Sequence, residues 1–263
     1  HAYAFSEGDN GFYGAAQATG IEASAGMQGD VSVLNNGDIV ATALAEDSVS
    51  FAQGGAGAVG INVYAKYDAS IVNSGDILAS AQAEFGITGA YGAIAHGHDT
   101  DVVNAAGATI VATAAVGSRS GEQYGGRAVS FGTHTFGSGM EEGVTYNAGV
   151  IVSHATATSD GTNAVPALAT SWGSAIGAYS NVLAGTVINH GDIEAVASAE
   201  LGYATAFGAY VTTGFESEVA NAGRIFANAT AHNGNAFAVG SHAYALHQTV
   251  TYNCDEYGCD YDN

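Results

Sequence analysis

Basic residues and proline are nearly absent from this chain of 263 residues. Four lysine and arginine residues stand against 25 aspartate and glutamate residues, which gives a net charge of −21. A surface of this charge repels nucleic acid and anionic membranes, so we expect no nucleic-acid binding. The single proline excludes a proline-rich linker. No apolar run approaches the roughly 18 residues that a membrane helix requires, and we expect no membrane insertion.

Cysteine is also scarce, with only Cys254 and Cys259 near the end of the chain. Their spacing is too wide for a CxxC redox or zinc half-site, and it favours a disulfide that closes a small C-terminal loop. A disulfide indicates an oxidising location, either extracellular or at the cell surface. A first residue other than Met fits a mature chain after removal of a signal peptide.

Motifs for catalysis are missing as well. The sequence has no Gly-x-Ser-x-Gly nucleophile motif. Enzymes that cleave polysaccharides in a β-sheet groove need lysine or arginine beside their carboxylates, and such residues are too few here. We therefore predict that the protein is not an enzyme.

Metal binding has one general and one local candidate. The excess of carboxylates favours a secreted protein that stays dispersed in solution. The alternative is a Ca²⁺-dependent role, because hard cations prefer oxygen ligands, and no other cofactor is predicted. His96 and His98, followed by Asp99 and Asp101, form a weak candidate cluster, because alternate residues of a strand point the same way. Spacing fixes no third ligand, which favours an exposed loop over a metal site.

An internal repeat dominates what the chain does contain. One anchor is Asn-x-Gly, with two extra residues in the third copy, followed by an isoleucine and alternating alanines. It begins at Asn35, Asn73, Asn104, Asn147, Asn189 and Asn221. A second anchor, an apolar residue before glycine, alternates with it and includes Phe131-Gly132, Ile176-Gly177 and Phe207-Gly208. Together the two anchors give a basic period of 32 residues.

The alternation within each unit has a period of two, which predicts β-strands and not helices. Three short strands with glycine or asparagine at the corners fit one coil. We therefore predict an all-β fold, a parallel β-solenoid (β-helix) of about seven coils. It forms a single domain over residues 1–263, with a partial coil at 1–34, repeats at 35–252 and a tail at 253–263. The asparagines that recur at the same position of each repeat are expected to bond to one another from coil to coil.

The Asn-x-Gly-Asp-Ile-x-Ala-x-Ala units resemble the β-solenoid passengers of secreted bacterial surface proteins of the autotransporter and adhesin type. The resemblance covers nearly the whole chain and implies a right-handed coil. It does not imply one activity, because such passengers include adhesins, filament subunits, proteases with added domains and inert stalks.

Two sets of surface residues are candidate contact sites. Insertions near 46–57, 117–127 and 159–172 are predicted to form binding loops on one edge, and they contain Arg119, Arg127 and Trp172. The alternative is that they are surface decoration without a ligand. An outward row is predicted two residues after the second glycine anchor, at His134, Tyr179, Tyr210 and His242. Such a row would either stabilise the sheet face or contact another molecule or a sugar.

Two functions follow from these predictions. The first is a secreted structural protein that assembles head to tail with itself into an extracellular filament or matrix, because exposed strand edges invite further pairing. The second is a cell-surface adhesin that binds a glycan or a protein through the inserted loops.

Overall fold

The computed structural model describes residues 1–8, 15–25, 29–47, 55–84, 86–117, 126–137, 142–158, 166–176, 183–245, 251–255 and 258–262. Within these ranges the protein is built from strands and turns without a helix. The strands are β1 (Ala2–Gly8), β2 (Ala15–Ser24), β3 (Val31–Asn35), β4 (Ile39–Asp47), β5 (Gly55–Tyr64), β6 (Asp68–Asn73), β7 (Asp76–Ala83), β8 (Ile87–Gly97), β9 (Asp99–Asn104), β10 (Thr109–Val116), β11 (Arg127–Gly137), β12 (Glu142–Asn147), β13 (Val150–Ala157), β14 (Ala167–Ile176), β15 (Ala184–Asn189), β16 (Asp192–Thr213), β17 (Glu216–Asn221), β18 (Arg224–Ala245), β19 (Thr251–Asp255) and β20 (Gly258–Asp262).

These strands form two parallel sheets and one hairpin. A 12-stranded sheet runs in the order β1-β4-β7-β10-β13-β16-β14-β11-β8-β5-β2, with β18 paired to β16. Its first and last strands, β1 and β2, pack against each other, so the sheet is nearly closed into a barrel. A second sheet of six strands has the order β17-β15-β12-β9-β6-β3, and β19 pairs antiparallel with β20.

The all-β prediction agrees with this architecture, but the prediction of a β-solenoid was wrong. A solenoid of that kind would have three short strands on separate faces in every coil. In the structure β16 and β18 are each 22 residues long, and they pass through a corner without ending. Both halves of β16 therefore belong to one hydrogen-bonded sheet, which joins the faces that the prediction kept apart.

Glycine also allows a bend within the second half of the long strands and within the shorter strands that pair beside them. A Cβ atom at Gly132 would clash with the Cγ2 atom of Ile151 and with the carbonyl oxygen of Gly173. Equivalent glycines lie at the same position in neighbouring strands, for example Gly92 and Gly208. The absence of a side chain lets the backbone bend against its neighbour while pairing continues on both sides.

The core is narrow and separates into two main apolar clusters. Alanines fill one cluster almost alone, and they alternate along the strands with residues on the outer face. The second cluster contains isoleucines and valines such as Ile77, Ile110 and Val187, each 1% exposed or less. Small alanine side chains let the opposing strands approach closely, as expected from the composition.

Candidate functional site

A column of hydrogen-bonded asparagine side chains crosses the six-stranded sheet. The Nδ2 atom of each asparagine donates to the Oδ1 atom of the next, over distances of 2.7, 2.9, 2.9, 2.8 and 2.7 Å. The column contains Asn35, Asn73, Asn104, Asn147, Asn189 and Asn221. All five donors point in the same direction along the sheet.

Each asparagine also organises the turn that follows its strand. The Oδ1 atom of Asn147 accepts from the backbone N–H of Gly149 at 3.2 Å, and Nδ2 of Asn73 donates to the carbonyl of Gly75 at 2.8 Å. Asparagine favours this local bonding in turns. The side chain therefore fixes its own turn and bonds the neighbouring unit at the same time.

Within the described ranges, the asparagine column is open at both ends. Asn221 lies at one end, where its Nδ2 atom donates only to the carbonyl of Gly223, at 3.1 Å, among the described residues. Asn35 lies at the other end, where its Oδ1 atom accepts the backbone N–H of Gly37 at 3.2 Å. One end thus offers a side-chain donor and the opposite end a side-chain acceptor.

The strands at these two ends have free edges as far as the structure describes the chain. β18 pairs only with β16, and along it Ala227, Ala229 and Ala231 are half-buried although they continue the alanine core. At the opposite end β1 pairs only with β4, and Ala2 and Ala4 are half-buried in the same core. Both ends therefore expose unpaired backbone groups together with an open end of the apolar interior.

A column of carboxylates follows the outer face of the six-stranded sheet. Asp30, Asp68, Asp99, Glu142 and Glu216 each lie five residues before one of the stacked asparagines, and Ala184 interrupts the series between Glu142 and Glu216. Asp68 and Asp99 are direct neighbours in the register. Sequence analysis missed this column, although the constant spacing to the asparagines was a signal that would have revealed it.

Asp101 lies beside this column in a groove of about 250 Å³ that is also lined by Asp68, Asp99 and Glu142. Partial desolvation raises the pKa of the Asp101 carboxyl, and the charges of Asp99 and Asp68 raise it further. Among the described residues, however, no group of three or more histidine, cysteine, aspartate or glutamate side chains is arranged to hold a metal ion. The carboxylates repel one another without forming a recognisable cage.

Aromatic rings form a second column, on the outer face of the 12-stranded sheet. Phe131 stacks on Trp172 with 4.3 Å between ring centroids and on Tyr91 with 5.2 Å, and Trp172 stacks on Phe207 at 6.3 Å. Phe131 is 1% exposed and Trp172 is 6% exposed. Stacked rings at these separations stabilise adjacent strands beyond the area that they bury.

The placement of Trp172 in an exposed binding loop was wrong. β14 begins at Ala167, and Trp172 lies inside this strand opposite Phe131 and Phe207. Its ring is buried, and a neighbouring ring stacks on each of its faces. Arg127 is exposed at the start of β11, and Arg119 lies outside the described residues.

The predicted row of His134, Tyr179, Tyr210 and His242 was also wrong in part. Ala175, and not Tyr179, lies between His134 and Tyr210 in the register. The glycine equivalent to Gly132 is Gly173, so the phase taken from Gly177 was four residues too late. Tyr179 lies outside the described residues. Tyr210 and His242 do stack, with 5.1 Å between ring centroids.

His134 differs from the prediction in its exposure too, because it is only 8% exposed. Its ring stacks on Phe131 at 4.5 Å and contacts Phe136 at 4.8 Å. It therefore belongs to the aromatic packing of the sheet and does not present a free surface.

His96 and His98 lie on different elements. β8 ends at Gly97, so strand alternation does not align the two rings. His96 stacks on Tyr64 at 4.4 Å and contacts the edge of Phe136 at 4.6 Å, while His98 packs against Tyr67 at 5.8 Å. Desolvation lowers the pKa of His96. These contacts place His96 within the aromatic packing.

The two cysteines lie in β19 and β20, where Cys254 and Cys259 are opposite each other in the backbone register. Their side chains lie outside the described part of the structure, and the disulfide stays a prediction.

Comparisons with known families, proteins and structures find nothing similar to this chain. No family model matches the chain, and no curated protein or solved structure matches it at a significant level. Within the described residues there is also no helix with the length and hydropathy needed to cross a membrane.

Proposed function

We propose that this protein is a secreted structural subunit that assembles head to tail with copies of itself into an extracellular filament or matrix. The observation that carries the proposal is the free edge of β18, which is 22 residues long and continues the sheet without a covering element among the described residues. A long uncovered edge strand is a template for pairing with another chain.

The opposite end of the molecule provides a matching edge. Two rows of core residues run from strand to strand across the larger sheet. One begins at Ala2 on β1 and ends at Ala227 on β18, and the other begins at Ala16 on β2 and ends at Ala236 on β18. A second copy placed with β1 and β2 along β18 would continue these rows in the same parallel register. It would bury the open end of the alanine core and pair the free backbone groups of both edges.

The contact between such copies joins two different surfaces. A heterologous contact of this kind does not close on itself and gives an open chain of subunits. The asparagine column has a matching head-to-tail polarity, since all its donors run from Asn35 toward Asn221.

A mixing experiment with two blocked variants tests this arrangement. Ala4→Lys places an inward charge at the first end and Ala229→Lys places one at the second, which blocks strand addition there. We expect each variant alone to be monomeric by light scattering, because each lacks one competent end. An equimolar mixture should form a one-to-one dimer, because one free end of each type remains.

Two control variants carry the same charge on the outer face of the same strands. Tyr3 and Asn228 are exposed neighbours of the blocked positions, so Tyr3→Lys and Asn228→Lys should still form filaments visible by electron microscopy. A wild-type protein that stays monomeric at high concentration, or a mixture of blocked variants that forms no dimer, contradicts the proposal.

A further inference from the structure

The six-stranded sheet ends one strand earlier than the sheet beside it. The 12-stranded sheet has two sides, one that starts at β1 and one that starts at β2, and the two halves of β16 and of β18 belong to different sides. Each side therefore contains seven stacked strand segments, whereas β17 is the sixth and last strand of the smaller sheet. β17 pairs only with β15, and its other edge is free among the described residues. Asn221 at the end of β17 directs its side-chain amide to Gly223 in place of a further asparagine.

The sequence contains a segment with the features of the next strand. Val250-Thr251-Tyr252-Asn253 repeats Val144-Thr145-Tyr146-Asn147, the last four residues of β12. Asn253 follows Gly240 by 13 residues, and Asn221 follows the equivalent Gly208 by the same 13 residues. The connection is therefore long enough to bring Asn253 beside Asn221 within one chain.

β19, which contains Asn253, has an edge available for this contact. It pairs on one side with β20 in an antiparallel hairpin, from Thr251 opposite Asp262 to Asp255 opposite Gly258. A strand in the middle of a sheet has two paired edges, so the hairpin can remain intact while the second edge of β19 meets β17.

We propose that the hairpin of β19 and β20 docks on the free edge of β17 in the same chain, with β19 parallel to β17. Asn253 then lies beside Asn221 and accepts its side-chain amide, as Asn221 accepts that of Asn189 at 2.7 Å. Thr251 lies beside Val219, in the row where Thr145 lies beside Val187. The occupant of the edge is this segment because its sequence and chain length both match the repeat.

This docking covers the smaller sheet at the end where β17 lies, so the proposed contact between copies uses only the edges of β18, β1 and β2. It extends the smaller sheet to the same length as its neighbour, and β20 becomes the outermost strand. The C-terminal segment is then a structural part of the sheet and not an appended tail.

Hydrogen exchange in the full-length protein provides the first test. The backbone N–H of Ala222 donates to the carbonyl of Asn189, and alternate residues of a parallel strand bond to opposite neighbours. The N–H groups of Val219 and Asn221 therefore face the free edge, while those of Glu218 and Ala220 face β15. With the hairpin docked, all four should exchange slowly.

Truncation after Ala245 provides the comparison. We expect the amides of Val219 and Asn221 to exchange at least tenfold faster in the truncated chain, with those of Glu218 and Ala220 unchanged. Fast exchange of Val219 and Asn221 in the full-length protein at a concentration where it is monomeric overturns the proposal.

Cysteine crosslinking identifies the occupant directly. In a Cys254→Ser, Cys259→Ser background, Ala220→Cys with Tyr252→Cys should form a disulfide within one chain under dilute oxidising conditions. Ile188 lies beside Ala220 but one strand further from the edge, so Ile188→Cys with Tyr252→Cys is the matched control and should remain reduced. Crosslinks between chains only, or equal yields in both pairs, contradict docking within the chain.

Discussion

The side-chain amide of Asn104 donates to the Oδ1 atom of Asn147 over 2.9 Å, and both residues are fully buried. Asn104 also accepts from Asn73 at 2.9 Å, so it is joined to asparagines on both sides. Polar side chains that are buried in this way stabilise a fold only while every member of the network keeps its partners.

Replacing Asn104 by alanine is therefore expected to destabilise the protein strongly. The change leaves the Oδ1 atom of Asn147 without its asparagine donor and removes the bonds of Asn104 to Ala108 and Val150. We expect a loss of about 3 kcal/mol in the free energy of unfolding, measured by urea denaturation. Asn35→Ala is the control at the end of the column, where only one asparagine partner is lost, and it should cost about 1 kcal/mol. Equal losses in both variants would contradict a column that depends on partners on both sides.

Trp172→Ala tests whether the aromatic column is structural. The variant loses the stacking contacts with Phe131 and Phe207, and it leaves a cavity between them. The expected cost is about 4 kcal/mol by thermal or denaturant unfolding. Phe237 is 56% exposed, so Phe237→Ala should cost far less. If Trp172→Ala keeps full stability, the stacking of this ring does not stabilise the sheet, which contradicts the prediction.

The raised pKa of Asp101 makes the stability of the folded protein depend on pH. Because the pKa of Asp101 is raised above its ordinary value in the folded protein, the folded state holds this proton more tightly than the unfolded chain. The resulting stabilisation is complete below the ordinary pKa of 3.8 and is lost as the pH rises through the raised pKa. At neutral pH the ionised carboxylate therefore opposes folding.

Asp101→Asn should accordingly be more stable than the wild type at pH 7, by about 0.5 kcal/mol after allowance for solvent screening at this partly exposed site. The difference should shrink as the pH falls, since the wild-type carboxyl becomes protonated. Asp38→Asn removes the same charge at an exposed position in the turn between β3 and β4 and serves as the control. A gain that is equal at pH 7 and pH 4 would contradict the assigned cause.

Self-assembly should depend on ionic strength and pH because the subunit carries a net charge of −21. Copies repel one another until salt screens the charge within a Debye length of about 8–10 Å. Light scattering should therefore show faster growth in 0.15 M salt than in 0.01 M salt, and at pH values closer to the isoelectric point of about 4.3. Growth that slows with added salt would indicate that ion pairs, and not strand edges, hold the subunits together.

Much of the strand pattern follows from the sequence. The asparagines and the alternating alanines mark equivalent positions because a parallel sheet repeats its environment at every strand. The overall architecture does not follow, since Gly202, between the two halves of β16, reads as the end of a strand. Whether hydrogen bonding continues through this corner depends on the neighbouring Ala167, and local alternation carries no information about that contact.

The positions of the candidate contact residues also depend on contacts that are distant in the sequence. Trp172 looked like an anchor in a loop because tryptophan is rare in the chain and follows an irregular segment. Its burial depends on Phe131 and Phe207, which are 41 and 35 residues away. Choosing Gly177 over Gly173 as the repeat marker moved the expected row to Tyr179, because both glycines follow an apolar residue.

The asparagine column also gives the molecule an electrical direction. Its five donor bonds are aligned, so the amide dipoles add instead of cancelling, with the positive side toward Asn221 and the negative side toward Asn35. Aligned peptide dipoles in helices have the same additive character. Two molecules that approach along this axis attract each other in one relative orientation and repel in the reverse one, which makes any string of subunits polar from its first contact.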